Sequence, residues 1–158
     1  MEREAQQFST RLEFEQQLAA CVARAGNTLQ MFDPDFAIWN LGSSTMDAAL
    51  RRFLRGHGRL QLAAHSNAQL ERHAPRFLRL LADFSHAIEC RLTNQSLRQL
   101  SDSFCLADGC HIVRRYHADH LRGEAVFDGP DDCKTSMDRF EAIWLESASG
   151  LHASTTGL

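Results

Sequence analysis

Lysine is almost missing from this chain: of its seventeen basic residues sixteen are arginine, and Lys134 is the single lysine. Any chemistry that needs an ammonium group, as a Schiff base or a phosphate clamp, rests on that one side chain. Long apolar runs are missing too, and none approaches the roughly 18 residues a membrane span requires. The opening MEREAQQFST holds no apolar stretch fit for a signal peptide, so a cytoplasmic protein without membrane contact is the expectation. There is no cationic excess, because seventeen basic against twenty acidic residues leave a net charge of −3. Nucleic-acid binding is therefore not expected, unless the arginines gather on one face. Five scattered cysteines form neither a disulfide framework nor a paired zinc motif. P-loop, Gly-x-Ser-x-Gly and Cys-x-x-Cys patterns are absent. Gly56-His57-Gly58 comes before a strand instead of after one, so it reads as a helix stop and not a phosphate cradle. No cofactor is expected.

What the chain does have is a length of 158 residues, 44% of them hydrophobic, which suits one domain with a real core. Residues 1–9 are polar and read as a frayed tail. An apolar period from Leu12 to Ala25, with Thr10 as candidate N-cap and Gly26 as terminator, predicts a helix. Thr28–Phe32 predicts a strand closed by Asp33-Pro34. A helix over Ser44–Leu54, a strand over Leu60–Ala64, a helical stretch from Asn67 that Pro75 resets, and a strand over Ala87–Leu92 follow. A short helix is predicted at Asn94–Leu100. Strands are predicted at Ser103–Ala107, His111–Tyr116 and Glu124–Phe127, the first two joined by an Asp108-Gly109 hairpin turn. The last helix spans about Asp131–Ser147, with Met137, Phe140, Ile143 and Trp144 on one face; residues 149–158 read as a second flexible tail. Crossovers first and hairpins last imply an α/β fold, a mixed sheet flanked by helices, with one domain over 10–148.

Few side chains stand out as chemistry. Asp33-x-Asp35 superficially resembles the acidic pair of haloacid-dehalogenase-like phosphatases. However, that family expects its lysine before a second acidic pair, whereas Lys134 follows Asp131-Asp132. A proline-containing turn whose acids face water is the expectation. His111, His117 and His120, with Asp119, are the densest potential ligand set, yet their spacing is not that of a structural zinc site. His117 and His120 are weak metal candidates and are expected to be two solvent-facing histidines. Cys90, Cys105 and Cys110 lie in apolar contexts and read as small core residues. Arg114-Arg115 offers planar forks suited to phosphate or carboxylate, and pairing with Asp102, Asp108, Asp119 or Asp128 is at least as good a reading.

The stretch SDSFCLADGCHIVRRY (101–116), followed by a β segment and a helix carrying FEAIW (140–144), resembles the second part of a phospholipase D-like unit. The earlier strand–helix alternation is similar to the rest of such a unit, so the likeness covers most of residues 10–148. PRFLRLL (75–81), DSFCLADG (102–109), Arg114-Arg115 and FEAIW are closest to a degenerate, uncharacterised bacterial branch that also occurs fused to N-acetyltransferases. The resemblance implies a signature His-x-Lys-x4-Asp. With Asp108 as its aspartate, Ser101 takes the histidine position and Ser103 the lysine position, and no His-x-Lys occurs anywhere in the chain. The superfamily chemistry uses the histidine as nucleophile on phosphorus and the lysine to stabilise developing charge. Losing one such donor alone costs about 100- to 1,000-fold. The small Gly-Ser pair of the superfamily is replaced by Arg115-Tyr116, which would fill a phosphate pocket.

The resemblance therefore implies a catalytically silent domain that binds or interacts, with no catalytic residue. Its vacated groove would hold a small anionic ligand through Arg91, Arg114, Arg115 or His65, or pack shut. Relatives build one site from two units, so a single unit implies a homodimer with the Ser101–Asp108 strands near the axis. The fusion implies an acetyltransferase-type partner. The alternative is a hydrolase using His65, His111 or His117 as base or metal ligand in the same place; His65 lies just past a strand end, where α/β sheets place ligands.

Overall fold

The computed structural model describes residues 2–151. Its elements run β1 (Glu4–Phe8), α1 (Arg11–Arg24), β2 (Thr28–Phe32), α2 (Ser44–Arg55), β3 (Arg59–Ala64), α3 (Ala68–His73), α4 (Pro75–Asp83), β4 (Ile88–Thr93), β5 (Ser103–Ala107), β6 (His111–Arg115), β7 (Gly123–Phe127), α5 (Pro130–Leu145) and β8 (Ser147–Ser149). A single 3-10 turn, Gln95–Leu97, stands where a short helix is expected.

All eight strands form one sheet in the order β1-β7-β6-β5-β2-β3-β4-β8. The crossovers β2–α2–β3 and β3–α3–α4–β4 make β2, β3 and β4 parallel. β5, β6 and β7 form an antiparallel meander joined to β2. The mixed sheet is thus present, and β5 lies inside it, between β2 and β6.

The two faces are covered unequally. Apolar residues of the interior strands fall on both faces, and one set (Leu29, Met31, Leu60, Leu62, Cys105, Val113) packs against buried residues of α1, α2, α3 and α4. The other set (Phe32, Ala63, Phe104, Leu106, Ile112, Val126) packs against Phe140, Ile143 and Trp144 of α5. Thr10 caps α1 through a complete capping box with Glu13. The β5–β6 hairpin turns on Asp108 (φ 56°) and Gly109 (φ 63°), both left-handed as a type I′ turn requires.

Three expectations need correction. Residues 4–8 are no frayed tail: β1 pairs antiparallel with β7 from Glu4↔Phe127 to Phe8↔Gly123. The strand sits at the sheet margin with four exposed residues and only Phe8 buried, so it has no apolar alternation to betray it. At the other margin β8 pairs with β4 at Arg91↔Ser149, so the domain runs past 148; residues 152–158 of the expected second tail lie outside the described residues. Met137 is half exposed, unlike Phe140, Ile143 and Trp144, and its sulfur lies over the hairpin turn at Gly109.

Candidate functional site

The C-terminal ends of the parallel strands β2 and β3 meet the start of β5 and the end of β6 at one end of the central strands, where Phe32 pairs with Phe104 and Ser103 with Arg115. Here the position that the resemblance gives to lysine is occupied by a closed polar cluster. The Arg115 Nη2 donates to Asp33 Oδ1 at 2.7 Å, and both side chains are only 2% exposed. Nε and Nη2 share the Ser103 hydroxyl at 3.3 and 3.1 Å. Nη1 donates to the carbonyls of Ala118 (2.6 Å) and His120 (3.2 Å). A guanidinium has five N–H bonds, and all five are used. Trp39 Nε1 also donates to Ser103 Oγ, at 3.2 Å, and the guanidinium carbon lies 5.3 Å from the Phe14 ring centre.

The loop after β2 explains why Asp33 is buried, contrary to the expected water-facing turn; only Asp35 is exposed. The other carboxylate oxygen of Asp33 accepts the backbone N–H of Asp35 (3.0 Å) and of Phe36 (2.7 Å). This turn holds Phe36 at φ 61°, a left-handed conformation costly for a bulky residue, and the buried Phe36–Trp39 contact at 4.7 Å compensates for it. The partner of Asp33 is 82 residues away in sequence, so no local pattern reveals it.

The remaining expected residues are not gathered into one pocket. His65, on the end of β3, has both ring nitrogens engaged: Nδ1 with the Thr93 hydroxyl (2.6 Å) and Nε2 with the Leu100 carbonyl (2.8 Å). A carbonyl can only accept, so Nε2 carries the proton and Nδ1 takes the hydroxyl hydrogen in the neutral ring. Arg91 donates from Nε to Glu89 (2.9 Å) and from Nη1 to the Trp144 carbonyl (2.8 Å), lying over the Trp144 ring. Arg114 points to the opposite side of β6 from Arg115, bound to Glu124 at 3.0 Å. Arg115 and Arg114 thus pair with Asp33 and Glu124 instead of Asp102, Asp108, Asp119 or Asp128. The Ser101 carbonyl accepts the Ala118 N–H at 2.8 Å. His117 and His120 are partly or wholly exposed, their ring centres 5.4 Å apart.

At the other end of β5, Asp108 has a different role. Its carboxylate accepts the backbone N–H groups of Gly26 (2.8 Å), Asn27 (2.7 Å) and Thr28 (2.9 Å), tying the hairpin to the entry of β2. Burial pushes its pKa up, but these three bonds outweigh it and hold the carboxyl below the ordinary 3.8.

His111 is at this same end, far along β6 from His117. Its ring, Cys110 and Asp128 bring a nitrogen, a sulfur and an oxygen within 4.8 Å of one another. The site fits a cation poorly, because His111 Nδ1 already accepts the Asp128 backbone N–H at 2.9 Å. A ligated ring would have to give up that bond. Cys110 is partly exposed in the hairpin, not in a strand; Cys90 and Cys105 are buried as expected. Burial first, then nearby charge, pushes the Cys90 and Cys133 thiols up to about 12, so neither is a thiolate nucleophile.

A single mixed sheet with β5 inside it and helices on both faces is a phospholipase D-like fold. The chain is similar to Nuc from Salmonella typhimurium, a phospholipase D family member, with TM-score 0.66 and 12% identity over 94% of this chain and 99% of that one. It is similar to NucT from Helicobacter pylori (TM-score 0.63, 9% identity, 94% of this chain and 100% of that one). It also matches phosphatidylserine synthase from Haemophilus influenzae (TM-score 0.65, 12% identity, 97% of this chain), spanning 41% of that longer chain. No curated protein matches the sequence. The chain belongs to the family DUF7931, a domain of unknown function, whose model matches residues 10–152.

Proposed function

We propose that this chain is a phospholipase D-like domain that does not hydrolyse phosphodiesters and serves as a dimeric binding or interaction module. One observation carries the reading. Ser103 stands at the lysine position and is capped by Arg115, whose donors are all satisfied inside the protein. A phosphoryl group entering there would meet no unspent N–H and would have to break a buried ion pair. Both ring nitrogens of His65 are engaged in the same way, which leaves His117, with only Nδ1 bonded, as the base for the alternative hydrolase reading.

Arg91, Arg114 and Arg115 lie apart and all carry carboxylate partners, which favours a protein surface over a small anion as the ligand. The dimer reading rests on the single-unit length, which matches Nuc and NucT almost end to end. Tyr116, half exposed next to Arg115, offers an aromatic contact at the expected axis. The candidate hetero-partner is of acetyltransferase type.

Two measurements test this. Purified protein incubated with bis(p-nitrophenyl) phosphate should give no turnover above buffer; turnover abolished by His65→Ala or His117→Ala would establish the hydrolase instead. Equilibrium sedimentation at tens of micromolar should give a dimer, and a strict monomer would remove that part of the reading.

A further inference from the structure

The net charge of −3 conceals a strong separation of charge. Residues 51–86 carry seven arginines against Glu71 and Asp83, a net +5, while residues 124–146 carry seven carboxylates against Lys134 and Arg139, a net −5. The fold places the helices of these segments on opposite sides of the sheet. α2, α3 and α4 pack on one face through Met46, Leu50, Phe53, Leu70, Phe77 and Leu80, and α5 packs on the other.

The basic side is also open. Arg51 binds Asp83 (2.8 Å) and Asp47 (3.0 Å), joining α2 to α4 and removing one of the two local acids. Arg52, Arg55, Arg72, Arg76 and Arg79, all on these helices, are exposed. Among the described residues none of the five has a carboxylate partner. This is the reverse of the Arg115 site, where the cation is fully spent.

We propose that the outer surface of α2, α3 and α4 binds the phosphate backbone of nucleic acid. Arginine's planar fork matches a phosphate bidentately, and five such groups with only Glu71 between them make an electrostatic footprint. A membrane surface fits less well, because insertion needs exposed apolar side chains. The large exposed ones (Leu12, Tyr116, Met137, Leu145) all lie outside residues 51–86. The acidic α5 face of a second copy would also complement the patch, but that contact is head-to-tail and tends to propagate as an open chain. The surface is separate from the Ser101–Ser103 strand end, so its failure leaves the non-catalytic reading standing.

The test is fluorescence anisotropy of the full chain with a labelled DNA duplex of about 20 base pairs and arbitrary sequence, with a single-stranded RNA as second probe, between about 50 and 200 mM salt. With four to five phosphates neutralised, affinity should fall on the order of 10²–10³-fold across that range. Arg55→Gln/Arg76→Gln/Arg79→Gln should weaken binding at low salt and reduce the salt slope by about three contacts. Lys134→Gln, on α5, should leave the slope unchanged. If the triple variant melts early, the three single variants decide, each removing about one contact. No binding at low salt overturns the proposal, as does binding that the arginine variants leave intact. Capture by phosphatidylglycerol vesicles without DNA binding, or arginine-dependent self-association without DNA binding, likewise overturns it.

Discussion

The two ends of β5 are secured in opposite ways. At the Asp108 end a carboxylate knits the hairpin to β2 through three backbone bonds. At the Ser103 end a buried ion pair closes over the start of the strand. The comparison separates a charge that organises backbone from a charge that is held by side chains. Asp108 satisfies main-chain amides, whereas every donor of the Arg115 guanidinium is consumed around Ser103 and Asp33. Both ends of a strand inside the sheet are thereby satisfied within the protein.

The largest effect that sharpens this contrast is expected from Ser103→Lys. It places an ammonium at a buried site beside a guanidinium, and a cost of about 3–5 kcal/mol or more is expected. Thermal melts should show a severely destabilised chain. Ser103→Lys/Arg115→Gly should recover part of the loss, since the new ammonium inherits Asp33 as partner; no recovery would mean that Arg115 is not what excludes the lysine. Next is Arg115→Met, which strands Asp33 without a counter-charge and should cost about 3–5 kcal/mol in urea unfolding. Adding Asp33→Asn should restore some of it, because the amide oxygen still accepts from the Asp35 and Phe36 amides while the lone buried charge is gone. Additive losses would break the claim that the two act as a pair.

The smallest effect belongs to the other end. Asp108→Asn keeps a residue tolerant of the left-handed turn but weakens the three backbone bonds, at about 1–2 kcal/mol near neutral pH. Because folding lowers the Asp108 pKa from 3.8, its stabilisation is full above that value and is lost as pH falls through the folded one. The variant should therefore lose less stability than the parent between neutral pH and about pH 3. Equal acid sensitivity in the two proteins would show that Asp108 is not the linking carboxylate.

The sequence made the interior strands and the hairpin legible because their signals are local: apolar alternation, the resetting proline at Pro75, and a turn dipeptide. It hid β1, whose EAQQF is polar because a marginal strand has little to bury. It suggested that Arg115 fills a pocket but not that Asp33 meets it, since ion pairing across a sheet leaves no mark on residue spacing. The basic layer was available all along in the arginine spacing from Arg51 to Arg79, but the whole-chain sum averaged it against the carboxylates of α5.

The pairing of β1 with β7 has a consequence for how the molecule is made. Arg3, just before β1, forms an ion pair with Asp132, 129 residues away, so β1, made ahead of every other strand of this sheet, is among the last to find its place. Until the meander is complete that segment waits unpaired.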